Sequence, residues 1–397
     1  MWTLGIDVAK RKHAATLLDD QGKKVFRNFT FAHSREGFTM LLARIDEIGI
    51  SPRGLLVGME ATGHYWMVLY QSLNEAGFEV RVINPIVTAA RRNVGIRGTK
   101  TDSADSELIA RVLAEANLKY SAIPEEQTRQ LRDLMRLRYE CTQSLVAEKQ
   151  RLGALLDLVF PEYAEHFSDI FGAASREILS RFPSAQALAK VDLRTLTRIV
   201  AKASKGRMGK QKAQELKASA KSSFALNGSL DTLTMEIRFI AQRINLLIEQ
   251  IEQLDRQPIA YMPEEQELLR SIPGIGHVWA PTILAEVLPV FDPEKKNGAR
   301  KFVATAGLDV RLSDSGESKG RGKMSKRGSK YLRTAAMQAA NVAVFKSNDP
   351  MFTAIYDRQR QRGKLHQVAI SHVANKLLHV VFSVLKNRKP YQPILAA

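Results

Sequence analysis

The opening segment leaves few folds open to this chain. Residues 3–8, Thr-Leu-Gly-Ile-Asp-Val, form a short apolar strand, and a second strand-like run follows at 13–18. After a basic turn at Gly22-Lys23-Lys24, the run from Val25 to Phe31 alternates with period two, as a half-buried strand does. These three runs read as an antiparallel meander. A helix is expected over 34–48, opened by Ser34, and then a buried apolar strand, Leu55 to Glu60, that ends on an acid. Ala61-Thr62-Gly63 turns into a second helix, roughly 64–76, and Glu79 to Asn84 reads as another strand, stopped by Pro85.

Strands and helices in this order match a ribonuclease-H-like mixed sheet, in which acids on the first strand, the fourth strand and a later helix converge at one edge. Asp7, Glu60 and the pair Asp102/Asp105 occupy those places. An acid inside or at the end of an apolar strand is costly to bury without a partner. The pair follows a basic approach, with Arg91, Arg92, Arg97 and Lys100 and no acid between them. From Asp102 onward the pattern is helical, so Asp102 and Asp105 share one face at i and i+3. Two like charges that close repel, and the helix dipole offsets only part of the cost. A divalent cation offsets more, and magnesium is commonly held by one or two carboxylates plus phosphate oxygens. The plainer reading is an N-capping Asp with a second Asp in the first turn.

Charge decides the class of partner. The 397 residues include 59 Lys+Arg against 41 Asp+Glu, a net charge of +18. A polyanion is the expected partner of such a chain, and nucleic acid leads that list. One cysteine, Cys141, excludes an intramolecular disulfide framework and a multi-cysteine zinc site. The N-terminal residues lack a signal-peptide pattern, and no apolar run approaches membrane-helix length. The expectation is a cytoplasmic, nucleoid-associated protein with no membrane partner.

Further along, residues 121–160 carry a broken 3-4 seam (Leu131, Leu134, Arg138, Cys141, Leu145, Glu148, Leu152, Leu155, Val159), and 230–254 carry a clean one from Leu230 to Leu254. Such spacing marks coiled-coil helices, which could pair within one chain or across protomers. Cys141 in the seam reads as a small buried apolar residue. Between the seams, 161–228 is a helical insert with a basic loop from Lys202 to Lys212, either a nucleic-acid contact or a solvated spacer. Residues 264–288 read as helix, hairpin, helix, with Gly274 and Gly276 either in a turn suited to binding phosphates or in a plain Pro-Gly turn between packed helices. From Lys295 to Arg333 there are twelve Lys/Arg and three Asp/Glu. Within that stretch a glycine-rich loop offers Lys319, Arg321, Lys323, Lys326, Arg327 and Lys330 to a phosphodiester, together with several serines. The segment 365–386 is an amphipathic helix whose histidines lack metal-ligand spacing.

Taken in order, Gly5-Ile6-Asp7-Val8-Ala9-Lys10, Glu60-Ala61-Thr62-Gly63, Asn84-Pro85, Lys100-Thr101-Asp102-Ser103-Ala104-Asp105, Ser271-Ile272-Pro273-Gly274-Ile275-Gly276, and Ala306-Gly307-Leu308 followed after six residues by Ser315-Gly316 resemble the DEDD insertion-sequence transposases of the IS one-ten type. The resemblance spans nearly the whole chain. It implies a RuvC-like, ribonuclease-H-like α/β domain over 1–120 and a coiled-coil region over 121–262 with the insert 161–228. It further implies a mainly α-helical transposase domain over 263–397 with a helix-hairpin-helix-like element. Asp7, Glu60, Asp102 and Asp105 are implied to bind Mg2+, and Ser315 to be the nucleophile. Ser313 and Ser318 lie in the same loop, and the spacing from Ala306-Gly307-Leu308 selects Ser315. The implied activity is recombination of donor and target DNA guided by a structured RNA from the element. The implied assembly is a homo-oligomer, dimer or tetramer, in which the RuvC-like domain of one protomer meets the serine loop of another.

Two other readings of the same residues stay open. One is a RuvC-like junction nuclease that activates water and uses Ser315 only as a phosphate contact. The other is a non-catalytic nucleic-acid-binding protein whose acids are structural.

Overall fold

The computed structural model describes residues 1–61, 63–92, 101–115, 120, 123–226, 228–311, 314–315, 318–319 and 323–393, without the side chains of 259 and 311–323. The chain divides into two compact units, 1–123 and 124–397.

The first unit is built on a five-stranded mixed sheet. Its strands are β1 (Trp2–Asp7), β2 (Lys12–Leu18), β3 (Lys24–Ala32), β4 (Leu55–Glu60) and β5 (Glu79–Ile83), in spatial order β3-β2-β1-β4-β5. The meander β1–β2–β3 is antiparallel, whereas β4 and β5 join parallel. Parallel pairing requires crossovers, and these are α1 (Arg35–Asp46) before β4 and α2 (Trp66–Glu75) before β5. Two more helices follow, α3 (Pro85–Arg92) and α4 (Asp102–Leu113). Ser34 caps α1, accepting a hydrogen bond from the Gly37 amide.

Glycine sets how α4 lies on the sheet. A Cβ on Gly5 would stand 2.1 Å from the Ser106 carbonyl oxygen, and one on Gly58 2.4 Å from the Leu113 side chain. Gly5 and Gly58 face each other across β1 and β4, so together they form a smooth strip on which α4 packs, its backbone against Gly5 and its Leu113 side chain against Gly58. The buried Thr16–Ser106 hydroxyl pair, 2.8 Å apart, fixes the helix against β2.

The second unit is helical. It begins with α5 (Glu126–Val159), passes through the insert α6 (Ala173–Arg181), α7 (Ala185–Lys190), α8 (Leu193–Ala203) and α9 (Lys210–Lys221), and returns along α10 (Asp231–Arg256). Helices α5 and α10 pair antiparallel within one chain. Arg138 meets Asp255, Glu148 meets Arg243, and Arg151 meets Glu236. Two of the polar breaks in the seam, Arg138 and Glu148, are therefore inter-helix ion pairs.

At one end α5 buries Leu131 and Met135 in a core with the C-terminal helices, and at the other it buries Leu152, Leu156 and Val159 in the separate core of the insert. The C-terminal elements are α11 (Pro263–Arg270), α12 (Trp279–Val287), α13 (Gly298–Ala306), four two-residue strands β6 (Val310–Arg311), β7 (Asp314–Ser315), β8 (Ser318–Lys319) and β9 (Lys323–Met324), then α14 (Lys330–Phe345), α15 (Pro350–Gln361) and α16 (His366–Asn387). Helix α16 is long and apolar enough to cross a membrane. Here that apolarity is spent on packing, since Ile370, Val373, Leu377, Val381 and Leu385 are all buried in the C-terminal core.

Candidate active site

Asp7 is the last residue of β1 and Glu60 the last of β4, one step beyond the paired residues Ile6 and Met59. Alternation puts Asp7 on the face of Gly5 and Glu60 on the face of Gly58, the face that α4 covers. Thr101 caps α4, its hydroxyl accepting from the Ala104 amide at 3.2 Å. Asp102 is thus released from capping, and the plainer reading of it as an N-cap does not hold. Asp105 is buried at 9% exposure, next to Ser106, whose carbonyl rests on Gly5.

The electrostatics show that these acids share one neighbourhood. The Asp7 carboxyl is raised from 3.8 to about 6, first by burial and then by the negative charges of Asp105, Asp102 and Glu60. Arg92 works in the opposite direction. Its guanidinium reaches Oδ1 of Asp105 with Nη2 at 2.8 Å and Nε at 3.1 Å. The Thr88 hydroxyl donates to Glu60 Oε2 at 2.8 Å. Helix α3 therefore supplies a partner to one acid on the sheet and one on α4. Arg91 from the same helix pairs with Glu115.

As they stand, no three His, Cys, Asp or Glu side chains among the described residues form a closed metal-ligand set. The donor chemistry nonetheless fits a hard cation. All four groups are carboxylates, none is a nitrogen or sulfur donor, and Asp7 is raised by burial first and then by the other three carboxylates, with Arg92 acting against them.

In the second unit, the expected glycine-rich loop has paired ends. Val310 and Arg311 pair with Met324 and Lys323, and Asp314 and Ser315 pair with Lys319 and Ser318. Its base is fastened by the Ser325 amide donating to the Asp309 carbonyl at 2.9 Å and the Ser325 hydroxyl donating to the Asp309 carboxylate at 2.5 Å. The Arg333 guanidinium donates to the Ala306 carbonyl at 2.8 Å. The strap formed by Asp309, Ser325 and Arg333 was not legible as a set in the sequence, because its members lie 8 or more positions apart.

The remaining expected contacts fall into groups. Arg97, Lys100, Arg321 and Ser313 lie outside the described residues, as do the side chains of Ser315, Lys319 and Lys323. Lys326 and Arg327 are exposed. Lys330 is already engaged, with Glu140 at 2.9 Å and the rings of Tyr139 and Tyr331 beneath it. Gly274, at φ +89°, lies so close to α14 that a Cβ would stand 2.1 Å from the Ala339 carbonyl oxygen. Packing alone therefore requires that glycine. Gly276 is exposed, with nothing within 4 Å of where its Cβ would be.

Comparison with known proteins is consistent with this geometry. A DEDD-type transposase family model matches residues 4–161. A second model, described as transposase of the IS116/IS110/IS902 family, matches residues 266–357. A pilin gene-inverting protein of Moraxella bovis is 24% identical over 98% of this chain and 97% of its own length. An uncharacterized 43.6 kDa protein of insertion element IS110 from Streptomyces coelicolor is 24% identical over 99% of this chain and 96% of its own. A probable family 20 transposase of Pseudomonas aeruginosa is 24% identical over 85% of this chain and 86% of its own. A DEDD-type match suggests a divalent cation, and the transposase match makes DNA a partner. The two matched segments flank the insert and include both the four acids and Ser315, and the chain belongs to the IS110/IS116 family of DNA transposases and recombinases.

Proposed function

We propose that this transposase cuts and rejoins DNA by a magnesium-dependent serine transesterification, directed to its sites by a structured RNA encoded by the element. The observation that carries the metal half is the Asp7 carboxyl, raised to about 6 by burial and three neighbouring carboxylates. Asp7, Glu60, Asp102 and Asp105 would hold Mg2+, and the bound ion would polarise the scissile phosphate and neutralise its developing charge. Arg92 orients Asp105 by donating to its Oδ1, and Thr88 orients Glu60.

In the chemical step the Ser315 hydroxyl attacks phosphorus and loses its proton. One P–O bond of the backbone breaks, one DNA end stays covalently on Ser315, and the other leaves as a free hydroxyl. Attack by a second DNA hydroxyl reverses the step, so no external energy source is needed. Lys326 and Arg327, exposed beside the strapped loop, supply positive charge to the phosphodiester. RNA guidance accords with a chain of net charge +18 and only 7% aromatic residues, equipped for backbone contacts more than for base readout. The acting species is a homo-oligomer, a dimer or tetramer.

The test is denaturing electrophoresis of the protein with its co-purified RNA, labelled element-junction DNA and magnesium, wild type beside Ser315→Ala. The expected result is a slow, protease-sensitive labelled band in wild type alone. Cut DNA without that band in both proteins would establish water as the attacking group and reduce Ser315 to a phosphate contact.

A further inference from the structure

The insert supplies none of the residues of the acid cluster or the serine loop, yet its stretch from Leu193 to Lys221 alone carries a net charge of +8, against +18 for the whole chain. Between Leu193 and Lys221 there are nine Lys/Arg and a single acid, Glu215. Their placement is ordered. On α8, Arg194, Arg198 and Lys202 recur every fourth residue and are exposed, on the side away from buried Leu196, Ile199 and Val200. The turn into α9 adds Lys205, Arg207 and Lys210, all exposed. Among the described residues none of these six has an acidic partner within salt-bridge distance.

The turn that presents them is a fixed structure. The Gly206 amide closes on the Ala201 carbonyl at 2.8 Å, and the buried Ser204 hydroxyl accepts from the Met208 amide at 2.9 Å. Lys205 itself sits at φ +53°, where a side chain costs about 1 kcal/mol relative to glycine. The chain keeps a lysine where backbone geometry favours glycine. Beside the turn is a cleft of about 330 Å³ bounded by Phe167, Gly172, Lys205 and Arg207, with Asp169 on its rim.

At the other end of α9, which is about 18 Å long at 1.5 Å per residue, stands Phe224. Its ring is 93% exposed although its backbone is held, because the Phe224 amide and the Ser223 hydroxyl both donate to the Glu162 carboxylate, at 2.9 Å and 2.6 Å. Exposed Lys221 lies three residues before it. A rigidly mounted, solvent-facing aromatic beside unpaired cations is the arrangement that stacks an unpaired base while the cations follow its phosphates.

We infer that the α8–α9 hairpin and Phe224 form a binding track for a single-stranded stretch of nucleic acid, distinct from the catalytic residues. The ligand chemistry is a flexible phosphodiester with at least one unstacked base. A loop of RNA and a displaced DNA strand both present it. Binding needs no cleavage, so this inference and the serine chemistry fail independently.

The experiment measures binding of the full-length protein to a 12-nucleotide RNA, to DNA of the same sequence and to its duplex, by fluorescence anisotropy across a salt series. Wild type is compared with Lys202→Gln/Lys205→Gln/Arg207→Gln/Lys210→Gln and with Phe224→Ala, all folded as judged by circular dichroism because the substituted side chains are exposed. The quadruple variant is expected to flatten the slope of log K against log salt by about 2.8 for a single strand, the loss of four phosphate contacts. Phe224→Ala is expected to weaken single-strand binding by about tenfold and leave duplex binding unchanged. A larger effect on RNA assigns the track to an RNA loop, and a larger effect on DNA assigns it to a displaced strand. An unchanged salt slope in the quadruple variant would overturn the inference. So would a Phe224→Ala protein that keeps its single-strand affinity but changes sedimentation, which would make the ring a protein–protein contact.

Discussion

Asp7 carries the electrostatic tension of the first unit. Its folded pKa, about 6, lies above the ordinary value of 3.8. Between those values the folded state therefore binds more protons than the unfolded one, and the contribution of Asp7 to stability is present below about pH 4 and lost as pH rises through 6. Asp7→Asn removes the repelled charge. In metal-free protein the variant should be more stable than wild type by about 1–2 kcal/mol at pH 7.5, a figure discounted for partial exposure of the site. The gain should shrink toward zero at pH 4. Denaturant melts at the two pH values, in EDTA, check both the size and the sign. The same substitution should abolish strand cleavage, so stability and activity should move in opposite directions. Magnesium should raise the melting temperature of wild type at pH 7.5 and lose that effect below pH 5, and it should barely affect Asp7→Asn.

At the scale of elements, the close seat of α4 on β1 brings Asp105 to Asp7. Gly5→Ala places a methyl group where the Ser106 carbonyl stands. Lifting α4 to accommodate it is expected to cost about 3 kcal/mol and to remove magnesium-dependent stabilisation along with activity. Gly22→Ala, at an open turn with φ +77°, should cost less and leave the response to magnesium intact. Isothermal titration with Mg2+ separates the two.

The α5–α10 pair permits a second test. Arg138 and Asp255 are 16% and 30% exposed and face each other across the two helices. Arg138→Ala and Asp255→Ala should each destabilise, and their double-mutant cycle should give a coupling of about 1 kcal/mol. If the coupling is zero, the pair contributes nothing to holding the helices antiparallel.

On the scale of the whole molecule, two compact units with separate cores predict unfolding that is not two-state. Calorimetry should show at least two transitions. Magnesium, and Asp7→Asn, should shift only the one assigned to residues 1–123. Substitutions in the C-terminal core, such as Phe352→Ala, should shift another by several degrees, since that ring is fully buried. A single transition that responded to both would show that the units unfold as one.

The strand order of the first unit, the helical start at Asp102 and the apolar seams of α5 and α10 were legible in the chain because period and turn chemistry are local properties. Asp7 and Glu60 stood out because a charge in an apolar strand needs a reason. Several matters lay beyond such reading. Arg138 and Glu148 looked like defects in a seam until α10 placed Asp255 and Arg243 opposite them. Gly274 is legible from its turn alone, and the backbone of α14, 65 residues later, adds a packing reason for the glycine that the local sequence does not show. Thr88 and Arg92 acquire roles only because α3 lies beside the acids. The sequence alone determined which residues carry charge, where strands and helices begin, and that four acids and a serine loop lie in the order of a transposase. The tertiary structure decided that α5 and α10 pair within one chain, that α4 sits on glycine, and that Asp7 titrates near 6. Those outcomes depend on distances between residues far apart in the chain, and no local periodicity encodes them.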